Sequence, residues 1–325
     1  MRRLFLILPI LAIWVSLASA AEPSDVKLID ELWHDAARNR DVPVRIYLPV
    51  RPVTAPLPVI VFSHGLGGTR ESYAYLATYW ASHGYICVHP QHAGSDESIY
   101  MNGDEWNTTV KAINDPQNAI NRPKDVSFVI DRLEAENRPG GKLTGLLDLS
   151  RLGVGGHSFG AYTALAIAGE RFISPLGREL NFADQRVKAA LAISERPSVS
   201  PDPAKAFAQI RIPMLHMTGT QDYSPMGDVQ PKERRQPYDL IPPLADQYLV
   251  IFDGAAHLTF SGQRSQPGDP KPVNFQPMIQ ITTLRFWDAY LKNDTAALKE
   301  VHDGALKKLV RPADQVEAKL RAMGP

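Results

Sequence analysis

A serine stands between two glycines in Gly156-His157-Ser158-Phe159-Gly160. In a G-x-S-x-G turn that joins a strand to a helix, the backbone doubles back too tightly for side chains at the flanking positions, and the serine hydroxyl is left exposed. A serine hydroxyl is a weak nucleophile at neutral pH, so it needs a base, and the base needs an orienting carboxylate. In turns of this kind the acid and then the histidine follow the serine along the chain. Of the nine histidines, His216, His257 and His302 lie beyond Ser158. His216 falls inside the apolar run Met214 to Met217, and His302 falls in a polar C-terminal helical segment. His257 instead follows a strand, in the loop Gly254-Ala255-Ala256-His257. His257 is therefore the expected base. Asp222 is the expected acid, because it ends the segment Met214 to Asp222, on the loop at the C-terminal edge of a central strand, where active sites of parallel sheets gather. Glu195, just past the preceding strand, is the alternative acid. Asp253 is a poorer one, being four residues from His257.

Attack on a carbonyl builds a negative oxygen that needs hydrogen-bond donors. One expected donor is the backbone N–H of Phe159, directly after the serine. The other is the N–H of Leu66 in the loop His64-Gly65-Leu66-Gly67-Gly68, where glycines let backbone approach a substrate closely. That loop lacks a lysine and the G-x-x-x-x-G-K-[ST] spacing, so it does not read as a phosphate cradle. His89 and His92, with Asp96 nearby, fit no strong ligand pattern and read as polar rim residues. No metal and no cofactor is expected.

These groups need elements to carry them. Lys27 to Asp35 and Val42 to Leu48 read as strands joined by a polar turn, and Pro58-Val59-Ile60-Val61-Phe62 as a central strand buried on both faces. A helix over Glu71 to Ser82, a strand over Tyr85 to His89 and a helix over Pro123 to Glu136 follow. Leu152 to Gly155 then forms a strand before the helix Phe159 to Gly169. Val187 to Ile193, Ile212 to Met217 and Tyr248 to Phe252 continue the strand series, and a helix spans Pro277 to Lys292. Strands alternating with helices predict an α/β domain, a mostly parallel central sheet covered on both faces. The stretches 94–118, 172–186, 195–210 and 223–245 are long for simple connections and read as lid-like insertions.

The chain has 325 residues, 44% hydrophobic and 22% charged, with 35 basic and 35 acidic residues. This balance holds no basic run for nucleic acid. Residues 1–20 read as a signal peptide: Arg2 and Arg3, an apolar run Leu4 to Leu17 interrupted by Pro9, then Ala18-Ser19-Ala20. The run is short of the roughly 20 residues that span a bilayer, so a secreted or periplasmic protein with no stable membrane span is expected. Residues 21–325 are expected to form a single domain, with a core over about 25–292 and a C-terminal helical extension over 293–325. The one cysteine, Cys87, cannot make an internal bridge and lies in an apolar stretch where a buried thiol is expected.

The segments Phe62-Ser63-His64-Gly65-Leu66-Gly67-Gly68, Ala81-Ser82-His83-Gly84-Tyr85-Ile86 and Gly156-His157-Ser158-Phe159-Gly160 resemble the plasma-type platelet-activating factor acetylhydrolase family. Bacterial dienelactone-hydrolase-like serine esterases look similar, including a segment like Arg122-Pro123-Lys124-Asp125-Val126-Ser127-Phe128-Val129. The resemblance spans roughly 25 to 292 and implies the α/β-hydrolase fold. It also implies calcium-independent hydrolysis of short or oxidised acyl esters, with Ser158 and His257 at matching positions. The mammalian acetylhydrolases place their acid near Glu195 here. Gly219-Thr220-Gln221-Asp222-Tyr223-Ser224-Pro225 instead looks like the acid loop of bacterial polyester hydrolases and cutinases. The expectation is a serine carboxylic-ester hydrolase acting on a small-molecule or lipid ester. The rivals are polyester hydrolysis or an amidase on the same residues, and a non-catalytic ligand-binding homologue.

Overall fold

The computed structural model describes residues 26–51, 54–101, 105–173, 178–262 and 271–321; the expected signal peptide lies outside the described residues. Two antiparallel strands open the fold, β1 (Val26–Asp35) and β2 (Arg40–Pro49). Strand β3 (Leu57–Ser63) leads to helix α1 (Ala74–Ser82), and strand β4 (Ile86–Pro90) to helices α2 (Glu105–Asn114) and α3 (Pro116–Glu136). Strand β5 (Leu147–His157) runs directly into α4 (Phe159–Ala168), which is followed by a small pair of strands, β6 (Arg171–Ile173) and β7 (Glu179–Asn181). Then come β8 (Val187–Ile193), α5 (Pro203–Phe207), β9 (Met214–Gln221), α6 (Gln236–Leu240) and β10 (Gln247–Ala256). Helices α7 (Gln276–Tyr290) and α8 (Thr295–His302) and strand β11 (Gln315–Lys319) complete the order.

Nine strands form one sheet in the order β1-β2-β4-β3-β5-β8-β9-β10-β11. The neighbours from β4 through β10 pair in parallel, while β1, β2 and β11 pair antiparallel at the flanks. With helices on both faces, this is the α/β-hydrolase fold. The continuous apolar runs follow from that burial, since alternate side chains of one strand enter opposite cores. Ile60 and Phe62 join Trp80, Leu191, Phe286 and Trp287 on the face of α1 and α7. Val59 and Val61 join Val129, Ile130, Leu165 and Ala190 on the face of α3 and α4. Cys87 is fully buried in the first of these cores.

Several boundaries differ from the sequence expectation for physical reasons. Helix α3 begins at Pro116, capped by Asp115, and continues through Pro123, where a start was expected. Proline lacks the N–H that would bond the carbonyl four residues back. The Tyr162 hydroxyl donates to that Ala119 carbonyl at 3.2 Å instead, so the helix can pass through. Helix α1 starts at Ala74 rather than Glu71 because Tyr73 sits in the left-handed region, φ 64°. The C-terminal extension is not wholly helical. After α8 the chain returns to the sheet, and β11 covers the outer edge of β10, which would otherwise expose unpaired backbone groups.

Candidate active site

Strands β3, β5, β9 and β10 point the same way, so the segments after their C-terminal ends meet at one edge of the sheet. Ser158 is the hinge between β5 and α4, with φ 57° and ψ −116°, a conformation rarely adopted by a residue with a side chain. The flanking glycines make the turn possible. A Cβ on Gly156 would lie 2.2 Å from the Gly160 carbonyl oxygen, and one on Gly160 would lie 2.0 Å from that of Ser63. The loop after β3 is therefore packed directly against the first turn of α4.

Ser158, His257 and Asp222 come together. The Ser158 hydroxyl donates to His257 Nε2 at 2.9 Å, and His257 Nδ1–H donates to Asp222 Oδ1 at 2.7 Å. Thr218 donates to the other carboxylate oxygen at 2.8 Å. Burial works to raise the pKa of Asp222, but the hydrogen bond and charge of His257 and the charge of Arg234 outweigh it and hold the carboxyl below its ordinary value. Ser158 itself is half-buried. A hydroxyl bonded to an imidazole that is anchored by an ionised carboxylate can lose its proton as it attacks a carbonyl.

Glu195 lies elsewhere. It accepts a hydrogen bond from His216 Nδ1 at 2.6 Å, and burial raises its pKa against that partner. His302 bonds Asp246 at 2.9 Å, and Asp253 accepts from Thr220 at 3.2 Å. The residues weighed as metal ligands do not converge. His89 donates to the Ser72 carbonyl, His92 bonds Asp125 and Ser63, and Asp96 accepts from Gln91 and Ser98. Among the described residues no group of three or more His, Cys, Asp or Glu side chains could hold a metal ion.

Among the described residues neither the Leu66 N–H nor the Phe159 N–H has an acceptor within the protein. Both residues are half-buried. The peptide before Leu66 is held by His64, whose Nδ1–H donates to the Gly65 carbonyl at 2.6 Å while its Nε2 accepts from the His92 N–H at 3.0 Å. In a trans peptide the C=O and N–H point opposite ways, so fixing the Gly65 oxygen aims the Leu66 N–H. Burial, followed by the charge of Arg122, keeps His64 neutral by pushing its pKa well below the usual value, as this tautomer requires.

Three positioning side chains were not singled out by residue type and spacing. His157 Nε2–H donates to the His257 carbonyl at 3.0 Å, its Nδ1 accepts from the Tyr73 hydroxyl at 2.7 Å, and its ring packs 4.7 Å from that of His257. Arg234, 1% exposed, reaches from the connection after β9. Its Nε lies 2.8 Å from Asp222 Oδ1, its Nη1 donates to the Ser194 carbonyl at 2.7 Å, and its Nη2 lies 3.1 Å from His257 Nδ1. Because that Nδ1 proton is already given to Asp222, the last approach is a charge contact rather than a second hydrogen bond. Arg122 is the third. In sequence Arg234-Arg235 looks like any polar loop pair; that Arg234 is buried while Arg235 is half-buried and paired with Asp239 and Glu317 arises from packing.

Residues 17–111 match the family model of platelet-activating factor acetylhydrolase, isoform II. The matched stretch carries the Leu66 loop and ends before Ser158, Asp222 and His257. No curated protein matches the chain. Over this N-terminal part the chain resembles that family, and the α/β-hydrolase fold agrees with the match, which in general terms supports hydrolysis of esters or lipids.

Proposed function

We propose that the protein is a serine carboxylic-ester hydrolase, with Ser158 as nucleophile, His257 as base and Asp222 as the carboxylate that orients it. The observation that carries this reading is the pair of short hydrogen bonds, Ser158 to His257 at 2.9 Å and His257 to Asp222 at 2.7 Å. As Ser158 Oγ attacks the ester carbonyl, His257 Nε2 takes its proton. The developing oxyanion rests on the N–H groups of Leu66 and Phe159, each such donor contributing roughly 3 kcal/mol to transition-state stabilisation. His257 then protonates the leaving alcohol, and the acyl group stays on Ser158. Water, deprotonated by His257, attacks the acyl-enzyme by the same route and releases the acid.

The substrate class is a short-chain or lipid-type ester. Tyr100, Met101, Val199 and Tyr223 expose apolar surface from segments that follow β4, β8 and β9, the end of the sheet that carries Ser158. Such a rim suits an apolar acyl or alcohol group. The charged start, short apolar run and small-residue cleavage pattern of residues 1–20 support action outside the cytoplasm, as a secreted or periplasmic enzyme.

The test is labelling of purified protein with a fluorophosphonate, alongside assays on p-nitrophenyl esters and matched amides. An adduct on Ser158 with parallel loss of turnover is expected, with esters cleaved far faster than amides. Ser158→Ala should retain the fold and lose roughly 10^4-fold or more in kcat. Near-normal turnover by that variant, or a folded protein that neither labels nor turns over, would sink the proposal.

A further inference from the structure

The Leu66 loop and the first turn of α4 belong to different segments of the chain, yet one buried cation grips both. Arg122, on α3, is fully buried. Its Nη2 donates to the His64 carbonyl, its Nη1 to Ser95 Oγ at 3.0 Å and its Nε to Thr163 Oγ1 at 3.2 Å. The guanidinium carbon lies 4.4 Å from the centre of the Phe159 ring, within range of a cation–π contact. Each of these partners adjoins a proposed oxyanion donor. The His64 carbonyl lies before the Gly65–Leu66 peptide, and the Ser95 carbonyl accepts from the Gly67 N–H at 2.9 Å, just after it. Thr163 Oγ1 in turn donates to the Phe159 carbonyl at 3.0 Å. Leu66 is thus held from both sides, and Phe159 from its ring and its carbonyl.

A cation buried without a carboxylate is costly, and such a group is strongly destabilising unless its surroundings are well arranged. Among the described residues no carboxylate lies within ion-pair distance of Arg122. Asp125, one turn further along α3, is engaged by Arg38, Arg40 and His92. Its bond to His92 orients that ring so that Nε2 accepts from Ser63, which braces the base of the same loop at 3.1 Å. Burial pushes the pKa of Arg122 down to about 9. A core brace alone could be apolar. A planar fork that meets three acceptors and one ring is what arginine supplies and lysine does not.

We propose that Arg122 is a positioning residue that sets the separation of the Leu66 and Phe159 N–H groups, so that both donors meet one oxyanion. The proposal rests on the ester-hydrolase reading of Ser158.

The experiment compares wild type, Arg122→Lys, Thr163→Val and Ser158→Ala as purified full chains. It measures p-nitrophenyl ester kinetics, thermal unfolding, and inhibition by an alkylboronic acid, which forms a tetrahedral anion on a serine. Arg122→Lys keeps the charge and loses the fork. It should lower kcat roughly 10- to 100-fold with KM within about threefold, and weaken boronate binding by a similar factor. Thr163→Val, which removes one acceptor at nearly constant volume, should lower both quantities by roughly 3- to 10-fold. A folded Arg122→Lys with unchanged kcat and boronate affinity would overturn the proposal, as would a rise in KM alone. Should Arg122→Lys fail to fold, unchanged kcat and boronate affinity in Thr163→Val would overturn it equally. Turnover retained by Ser158→Ala would instead overturn the serine reading itself, so the two failures are distinguishable.

Discussion

At the scale of residues, the carboxylates near the site differ in their partners more than in their chemistry. Asp222 and Glu195 are both buried, and each bonds a histidine ring nitrogen. Asp222 is also within reach of Thr218 and Arg234, which favour its ionised form, whereas Glu195 has one oxygen with no hydrogen-bond partner. His257 faces the Ser158 hydroxyl; His216 faces the side chain of Gln247. Asp222→Asn should therefore leave His257 in the wrong tautomer and lower kcat by about 10^4-fold. Glu195→Gln should change kcat by less than about tenfold, because its histidine reaches no nucleophile. Steady-state kinetics of the two variants on one ester decide the matter. A larger loss in Glu195→Gln would transfer the role of acid to Glu195.

At the scale of elements, the strained serine depends on how closely three backbones approach. The tip of β5, the start of α4 and the end of β3 meet where Gly156 and Gly160 leave no room for a methyl group. Gly160→Ala must push α4 away from Ser63, and with it the Phe159 N–H from Ser158. The expected result is destabilisation by about 3 kcal/mol, with kcat falling in the fraction that still folds. Urea unfolding and active-site titration with a fluorophosphonate measure the two effects. Unchanged stability would mean that the close packing of α4 on β3 is not what sustains the turn. Helix α3 acts at the same scale: passing through Pro123 keeps Arg122 and Asp125 on one continuous helix beside the Leu66 loop.

At the scale of the molecule, buried titratable groups set how stability depends on pH. His64, His89, His92 and His157 are all buried, and burial is the leading cause that pushes each pKa below the usual histidine value, to about 3 for His89 and about 4 for His92. Above about pH 6.5 these side chains are neutral both folded and unfolded. Below it the unfolded chain gains protons that the folded chain cannot accept, so stability is lost as pH falls from 6.5 toward 4. Burial raises Glu170 to about 8 and also raises Glu195, and these act in the opposite sense. Their protonated forms stabilise the fold below the ordinary carboxylate pKa, and that stability is lost as pH rises. The four histidines outnumber the two carboxylates, so the net expectation is a loss of stability as pH falls from 6.5 toward 5. Urea unfolding midpoints should fall steeply from pH 6.5 to pH 5. A midpoint that rises over this interval would show that the buried carboxylates dominate.

The sequence by itself determined what depends on local pattern and on residue type. The run Val59 to Phe62, apolar at every position and rich in β-branched residues, reads as a strand covered on both faces, since a strand with one face in water would alternate; its side chains do enter two opposite cores. The spacing of Gly156, Ser158 and Gly160 determined a turn with room for one exposed hydroxyl. The order serine, acid, histidine points to Ser158 and His257, which the folded chain draws within hydrogen-bonding distance, and confines the acid to a residue between them, with Asp222 expected and Glu195 as the alternative. Tertiary structure alone decided which of two buried carboxylates faces His257, since Asp222 and Glu195 each follow a central strand. It also decided that one arginine of the Arg234-Arg235 pair is buried, that α3 continues through Pro123, and that residues 315–319 return to the sheet. The reason is common to all of these. A charge, a missing N–H and a strand edge are each satisfied by a partner distant in the chain, and local sequence does not record where that partner will lie.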